Sequence, residues 1–116
     1  MGNPVAFFEV VGGDAEALQG FYGDAFGWQM QPFDPIPGYT VARTGVEGGI
    51  SGGVGAAYDG GSGHATFYIG VTDLDEALGK VESLGGRRVM GPIDAGSLSF
   101  ALFTDPEGHL VGLLKA

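Results

Sequence analysis

Laid on itself at an offset of 59 residues, the chain repeats: Phe8 falls on Phe67, Asp14 on Asp73, Gly20 on Gly79 and Gly27 on Gly86. Copies of one pattern obey one set of local rules, so whatever is argued for the first half constrains the second. Residues 5–11 form a β-branched and aromatic run. The apolar period then lengthens, with Leu18, Phe21, Tyr22, Ala25 and Phe26 at helical spacing, Asp14 placed as N-cap and Gly27 as the stop. Segments 28–33, 39–44 and 50–57, broken by Pro and Gly, read as three strands.

The second half follows the same order. A strand at 65–71 precedes Asp73, an N-cap with Glu76 placed for a capping box. Leu74, Ala77, Leu78, Val81 and Leu84 supply the apolar helix face, and Gly85 and Gly86 end it. Strands are expected at 87–93, 98–104 and 110–115, with Asp105-Pro106-Glu107-Gly108 as a tight turn between the last two. Each half therefore reads β-α-β-β-β: module one over 1–58, a Gly-rich linker over 59–63 and module two over 64–116. Neither module covers both faces of its own sheet, and 116 residues are too few for two independent cores, so a single domain is expected.

Composition narrows the function. Lys and Arg number 5 against 14 Asp and Glu, a formal charge of −9 that repels phosphate backbones and anionic lipid. Neither nucleic acid nor membrane is an expected partner. With 44% hydrophobic residues, including 8 Phe, the chain has material for a packed core. The 24 glycines suit short strands, sharp turns or a cavity that needs empty volume. The absence of cysteine removes thiolate and zinc–cysteine chemistry, and the first residues lack the basic and apolar regions of a secretion signal, so a cytoplasmic location is expected. The glycines from Gly48 to Gly55 include no GxGxxG opening a helix and no Walker lysine, which argues against a phosphate cradle.

Three motifs, spread over nearly the whole chain, carry a resemblance. They are Phe21-Tyr22 followed by Phe26-Gly27-Trp28, then Val71-Thr72-Asp73-Leu74-Asp75, and Asp105-Pro106-Glu107-Gly108-His109 before the last strand. With the repeat, they resemble the vicinal oxygen chelate superfamily of glyoxalase I, bleomycin-resistance proteins and extradiol dioxygenases. The resemblance implies an α+β fold in which two β-α-β-β-β modules form a curled mixed sheet around a cup, helices outside. It also implies divalent-metal ligands on the first and last strands of each module. Counted from the motifs and the repeat, those positions hold Phe7, Gly53, Thr66 and Gly112. A benzyl group, a hydroxyl and two glycines do not hold a dication, so neither metal nor cofactor is expected. Family cups are completed by pairing modules within or between chains, which makes a homodimer the expected assembly.

Strand alternation reads the cup independently. If Phe7 faces inward, so do Glu9 and Val11, with Phe8 and Val10 under the first helix. Thr66 and Tyr68 likewise face inward, with Phe67, Ile69 and Val71 under the second. Glu9 in a partly apolar cup is suited to acid–base work or to a ligand's cationic group, or else to a salt bridge that fixes the sheet. Tyr68 is a hydrogen-bond donor or a packing residue, and Trp28 a ligand-stacking or core residue. His64 lies ahead of its strand and His109 at a turn. The expected ligand-binding set is thus Phe7, Glu9, Trp28, Gly53, Thr66, Tyr68 and Gly112. The leading reading is a protein that binds a metabolite or antibiotic without a metal. Its alternatives are a metal-independent lyase or isomerase using Glu9 and Tyr68, a metal-dependent glyoxalase or dioxygenase with ligands from Glu9, Glu47 or His64, and an interaction subunit.

Overall fold

Both helices start where an aspartate can satisfy a free backbone N–H. Asp14 accepts from Ala17 N and Asp73 from Glu76 N, each at 3.0 Å. Gly27 closes the first helix in the left-handed region, at φ 71°, where its N–H donates to the Gly23 carbonyl. Around these helices the computed structural model, which describes residues 2–57 and 60–115, runs β1 (Val5–Gly12), α1 (Ala15–Phe26), β2 (Gln29–Pro32), β3 (Tyr39–Arg43), β4 (Gly52–Ala56), β5 (His64–Val71), α2 (Leu74–Ser83), β6 (Arg87–Asp94), β7 (Ser99–Thr104) and β8 (Leu110–Lys115). This is the expected α+β class and the twice-repeated β-α-β-β-β order. Asp59, where the linker was expected to begin, lies outside the described residues, as does Tyr58. No helix among the described residues is long and apolar enough to cross a membrane.

Contacts gather the chain into two compact units, one spanning Phe7–Ala65 and the other built from Thr66 onward with the segment ahead of Phe7. In the first, the strand order is β1-β4-β3-β2, with β1 and β4 parallel and the other pairs antiparallel. In the second it is β5-β8-β7-β6, with β5 and β8 parallel. The registers obey the repeat as well: Glu9 stands opposite Gly53 as Tyr68 stands opposite Gly112.

The second unit has the better-filled core. Leu74 and Leu78 of α2 bury against Val71, Ala101, Phe103, Val111 and Leu113, with Ile69, Ala77 and Val81 at the margin. The start of the chain docks here, Asn3 Nδ2 donating to the Gly70 carbonyl and Gly70 N to that of Pro4. In the first unit Gln19 ties α1 to the sheet by donating to the Val54 carbonyl at 3.0 Å. Phe8 lies on the helix side, its ring 5.0 Å from that of Trp28, which stacks on Tyr22 at 5.4 Å.

On the helix side the structure departs from the expected place of Phe67 under α2, and two apolar helix positions are exposed as well. The stripe on α1 is not buried: Phe21 and Phe26 are 60% and 62% exposed, and no α1 residue is fully buried. Its rings pack on one another, Phe21 against Tyr22 and Tyr22 against Phe26, instead of entering the sheet. Phe67 is 41% exposed although it is the counterpart of Phe8. The residue matching Trp28 in the repeat is Arg87, so no ring is supplied to cover it. Leu84, placed on the α2 face by its spacing, is the residue at the helix end and is exposed.

Candidate functional site

A carboxylate is rarely buried unless partners replace its water. Glu9, on the face of β1 turned away from α1, is buried to 7% exposure, and Tyr39 and His64 are among such partners. The Tyr39 hydroxyl donates to Oε2 at 2.7 Å, and His64 Nε2 lies 2.7 Å from Oε1. All three residues belong to the first unit.

Glycines put the partners there. A Cβ built on Gly53, opposite Glu9, would come within 1.6 Å of the Tyr39 phenol oxygen, so the space a side chain would fill is taken by the Tyr39 ring. Gly63 sits at φ 82° with its α-carbon so near β1 that a Cβ would lie 1.8 Å from the Val11 carbonyl oxygen. Only glycine permits both that conformation and that approach, and it delivers the next residue, His64, beside Glu9. His64 opens β5 rather than preceding it. Its side chain is 19% exposed, and the residue borders a cavity of about 480 Å³ on the α1 side whose other walls include Val10, Val11, Ala17, Leu18 and Ala65.

The other expected site residues are placed as follows. Phe7 is half-buried on the Glu9 face of β1. Trp28 belongs to the aromatic stack on the helix side, away from Glu9. Thr66, Tyr68 and Gly112 lie in the second unit. There the Thr66 hydroxyl donates to the Leu110 carbonyl at 2.5 Å. Tyr68 is 4% exposed, edge-on to Phe100 at 6.3 Å, and covers Gly112 so closely that a Cβ there would lie 2.3 Å from its ring. In both modules, then, a tyrosine ring fills the space above the last-strand glycine. Tyr39 is the partner of Glu9 that the sequence reading missed. The available signal was Gly53 and Gly55 on β4, whose missing side chains leave room for a ring on the adjoining strand.

These residues do not fit the divalent metal that the family resemblance implies. Phe7, Gly53 and Gly112 bring no donor, the Thr66 hydroxyl is committed to backbone, and the glycine positions are covered by rings. Of Glu9, Glu47 and His64, only Glu9 and His64 meet, while Glu47 is exposed. Among the described residues no three His, Cys, Asp or Glu side chains are grouped so as to hold an ion. His109 is exposed at its turn, with Nδ1 2.9 Å from Asp105 Oδ2. The Asp105 carboxyl is held below its ordinary value, chiefly because it accepts from the His109 backbone N–H.

Comparison with known proteins agrees with this architecture. The sequence pattern of the Glyoxalase/Bleomycin resistance protein/Dioxygenase superfamily matches residues 5–113. The chain is 36% identical over 113 residues to the proteins named "Putative glyoxylase CFP32" of Mycobacterium bovis and Mycobacterium tuberculosis, covering 89% of itself and 42% of their length. Among solved structures it resembles a superfamily member from Vibrio splendidus, with TM-score 0.65 at 16% identity over 99% of this chain and 100% of that one. It also resembles methylmalonyl-CoA epimerase from Mycobacterium tuberculosis, with TM-score 0.59 at 18% identity over 96% of this chain and 86% of that one. At such identities the structural likeness speaks for fold alone. With the repeated module in place and the family pattern spanning nearly all of it, the chain belongs to the Glyoxalase/Bleomycin resistance protein/Dioxygenase superfamily.

Proposed function

We propose that this chain binds a small organic molecule, a metabolite or an antibiotic, at the Glu9 site of its first module, without a divalent metal, and that it works as a cytoplasmic homodimer. The observation that carries this reading is the buried Glu9 carboxylate, held by a phenol and an imidazole on the face of β1 turned away from α1. Small-molecule sites are mostly apolar with a few placed polar groups of this kind. A second reading, a metal-independent lyase or isomerase, draws on the same geometry, because both Glu9 partners are groups able to carry a proton.

The test begins with a thermal-shift screen of aldehydes, thiol adducts, aromatic diols and cationic antibiotics, since a ligand bound to the folded state raises its apparent stability. Elemental analysis after dialysis is expected to find far less than one divalent ion per chain. For a compound found this way, Glu9→Gln keeps the shape and removes the charge. Calorimetry should then show affinity falling about ten- to hundredfold, on the order of 1.5–3 kcal/mol. Phe8→Leu, on the helix side, should lower stability and leave binding nearly unchanged. Unaltered affinity in the Glu9 variant would make Glu9 a structural residue and sink the reading.

A further inference from the structure

The repeat supplies an internal control for the helix surfaces. Where α1 carries Phe21 and Phe26, α2 and the turn after it carry Lys80 and Gly85, and Trp28 is matched by Arg87. Two copies of one element thus differ in what they present to water. The first presents a run of rings, Phe21 against Tyr22 and Tyr22 against Phe26, and the second presents cations. Single apolar residues are ordinary on a surface, but contiguous exposed rings mark an interaction face.

Charge says what fits that face. Asp24 is exposed, neighbours Phe21 at a spacing of three along the helix, and lies in the last turn of α1. The aligned peptide dipoles already place partial negative charge there, and no basic residue stands in that turn. α1 therefore ends on rings and an uncompensated carboxylate, both of which attract cations. Four of the chain's five Lys and Arg lie in the second module. Arg88 is engaged there by Asp75 and Glu82, at 3.8 and 3.4 Å, whereas Lys80 and Arg87 are exposed and in no ion pair among the described residues. Leu84, one turn beyond Lys80, and Val89 are exposed as well. That surface is aliphatic and basic where the α1 surface is aromatic and acidic. Two α1 surfaces face to face would set carboxylate against carboxylate, while α1 on the second-module surface sets rings and carboxylate against cations.

We infer that in the homodimer α1 of one copy, through Phe21, Asp24 and Phe26, packs on the α2–β6 surface of the other, at Lys80, Leu84 and Arg87. A two-fold axis makes the contact twice. Burial of the rings stabilises it, and charge selects which surfaces pair. This inference rests on the homodimer reading above and adds the surfaces that meet.

Sedimentation of variants tests it. Asp24→Lys and Lys80→Glu, each alone, set like charges at both contacts and should raise the dimer dissociation constant at least tenfold. Mixed in equal amounts, the two variants should pair with each other at close to the parent's affinity, because each contact then joins opposite charges. Unfolded chains could not restore pairing in this way. Phe21→Lys gives α1 the residue of its counterpart in α2. It should weaken the dimer at least tenfold and keep the parent's melting temperature at concentrations where both are single chains. If the parent dimerises and the single variants do so with unchanged affinity, the inference falls and the homodimer reading stands. Weakening without recovery in the mixture would mean that the two surfaces do not meet, which also overturns it. A parent that stays a single chain at every accessible concentration removes the homodimer and the inference together.

Discussion

Tyr39 shows what one hydroxyl does at a buried carboxylate. Its ring occupies the space above Gly53 and its phenol meets Glu9 Oε2 at 2.7 Å. Tyr39→Phe keeps the ring and deletes the donor, so packing survives while the carboxylate loses a hydrogen bond inside the protein. A hydrogen bond to a charged group contributes about 1.5–3 kcal/mol, and urea denaturation should show a loss of that order with an unchanged slope. A loss near zero would mean that water replaces the phenol. Tyr39 could not be read as a site residue from sequence, because its partner lies 30 positions away and only the β1–β4 and β3–β4 registers together bring the two into contact.

At the scale of elements, glycines divide by what surrounds them rather than by where they fall in the repeat. Gly53 on β4 and Gly112 on β8 are roofed by the rings of Tyr39 and Tyr68, whereas a Cβ at Gly79, inside α2, would meet nothing within 4 Å. Gly53→Ala and Gly112→Ala should therefore each destabilise by about 1–3 kcal/mol or more, as overpacking does. Gly79→Ala should stabilise by about 0.5–1 kcal/mol, as expected of an exposed helical position. Chemical denaturation of the three variants checks signs and sizes together. Sequence spacing identified both helices and their caps and grouped Phe21, Phe26 and Leu84 with the apolar positions of those helices, yet all three are exposed. Periodicity says which residues share a face, and only the neighbouring elements determine whether that face is covered.

For the whole molecule, charge and exposed apolar surface pull in opposite directions. A net charge of −9 favours separate chains in solution, while Phe21 and Phe26 on α1 and Val89 on β6 present large apolar side chains to water. The proposed homodimer would resolve this by covering such residues. Light scattering coupled to gel filtration should return twice the chain mass, and raising ionic strength should tighten the assembly as like charges are screened. A single-chain mass at every accessible concentration would count against it.

The sequence by itself determined the element order, the two aspartate caps, the Gly27 stop and the repeat, because each rests on chemistry within a few residues: side-chain period, a cap reaching the next turn, a glycine's freedom. It determined as well that Phe7, Gly53, Thr66 and Gly112 are poor metal ligands, since composition alone settles that. It also put Glu9 on the face away from α1, because strand alternation is local. What only the tertiary structure decided is what Glu9 meets there. His64 stands 55 positions from Glu9 and Tyr39 stands 30, and both arrive through register and loop closure rather than any local signal. The residues that made this possible, Gly53 and Gly63, contribute space instead of chemistry. Absent side chains are visible in a sequence, but what occupies the space they leave is set by the folded neighbours.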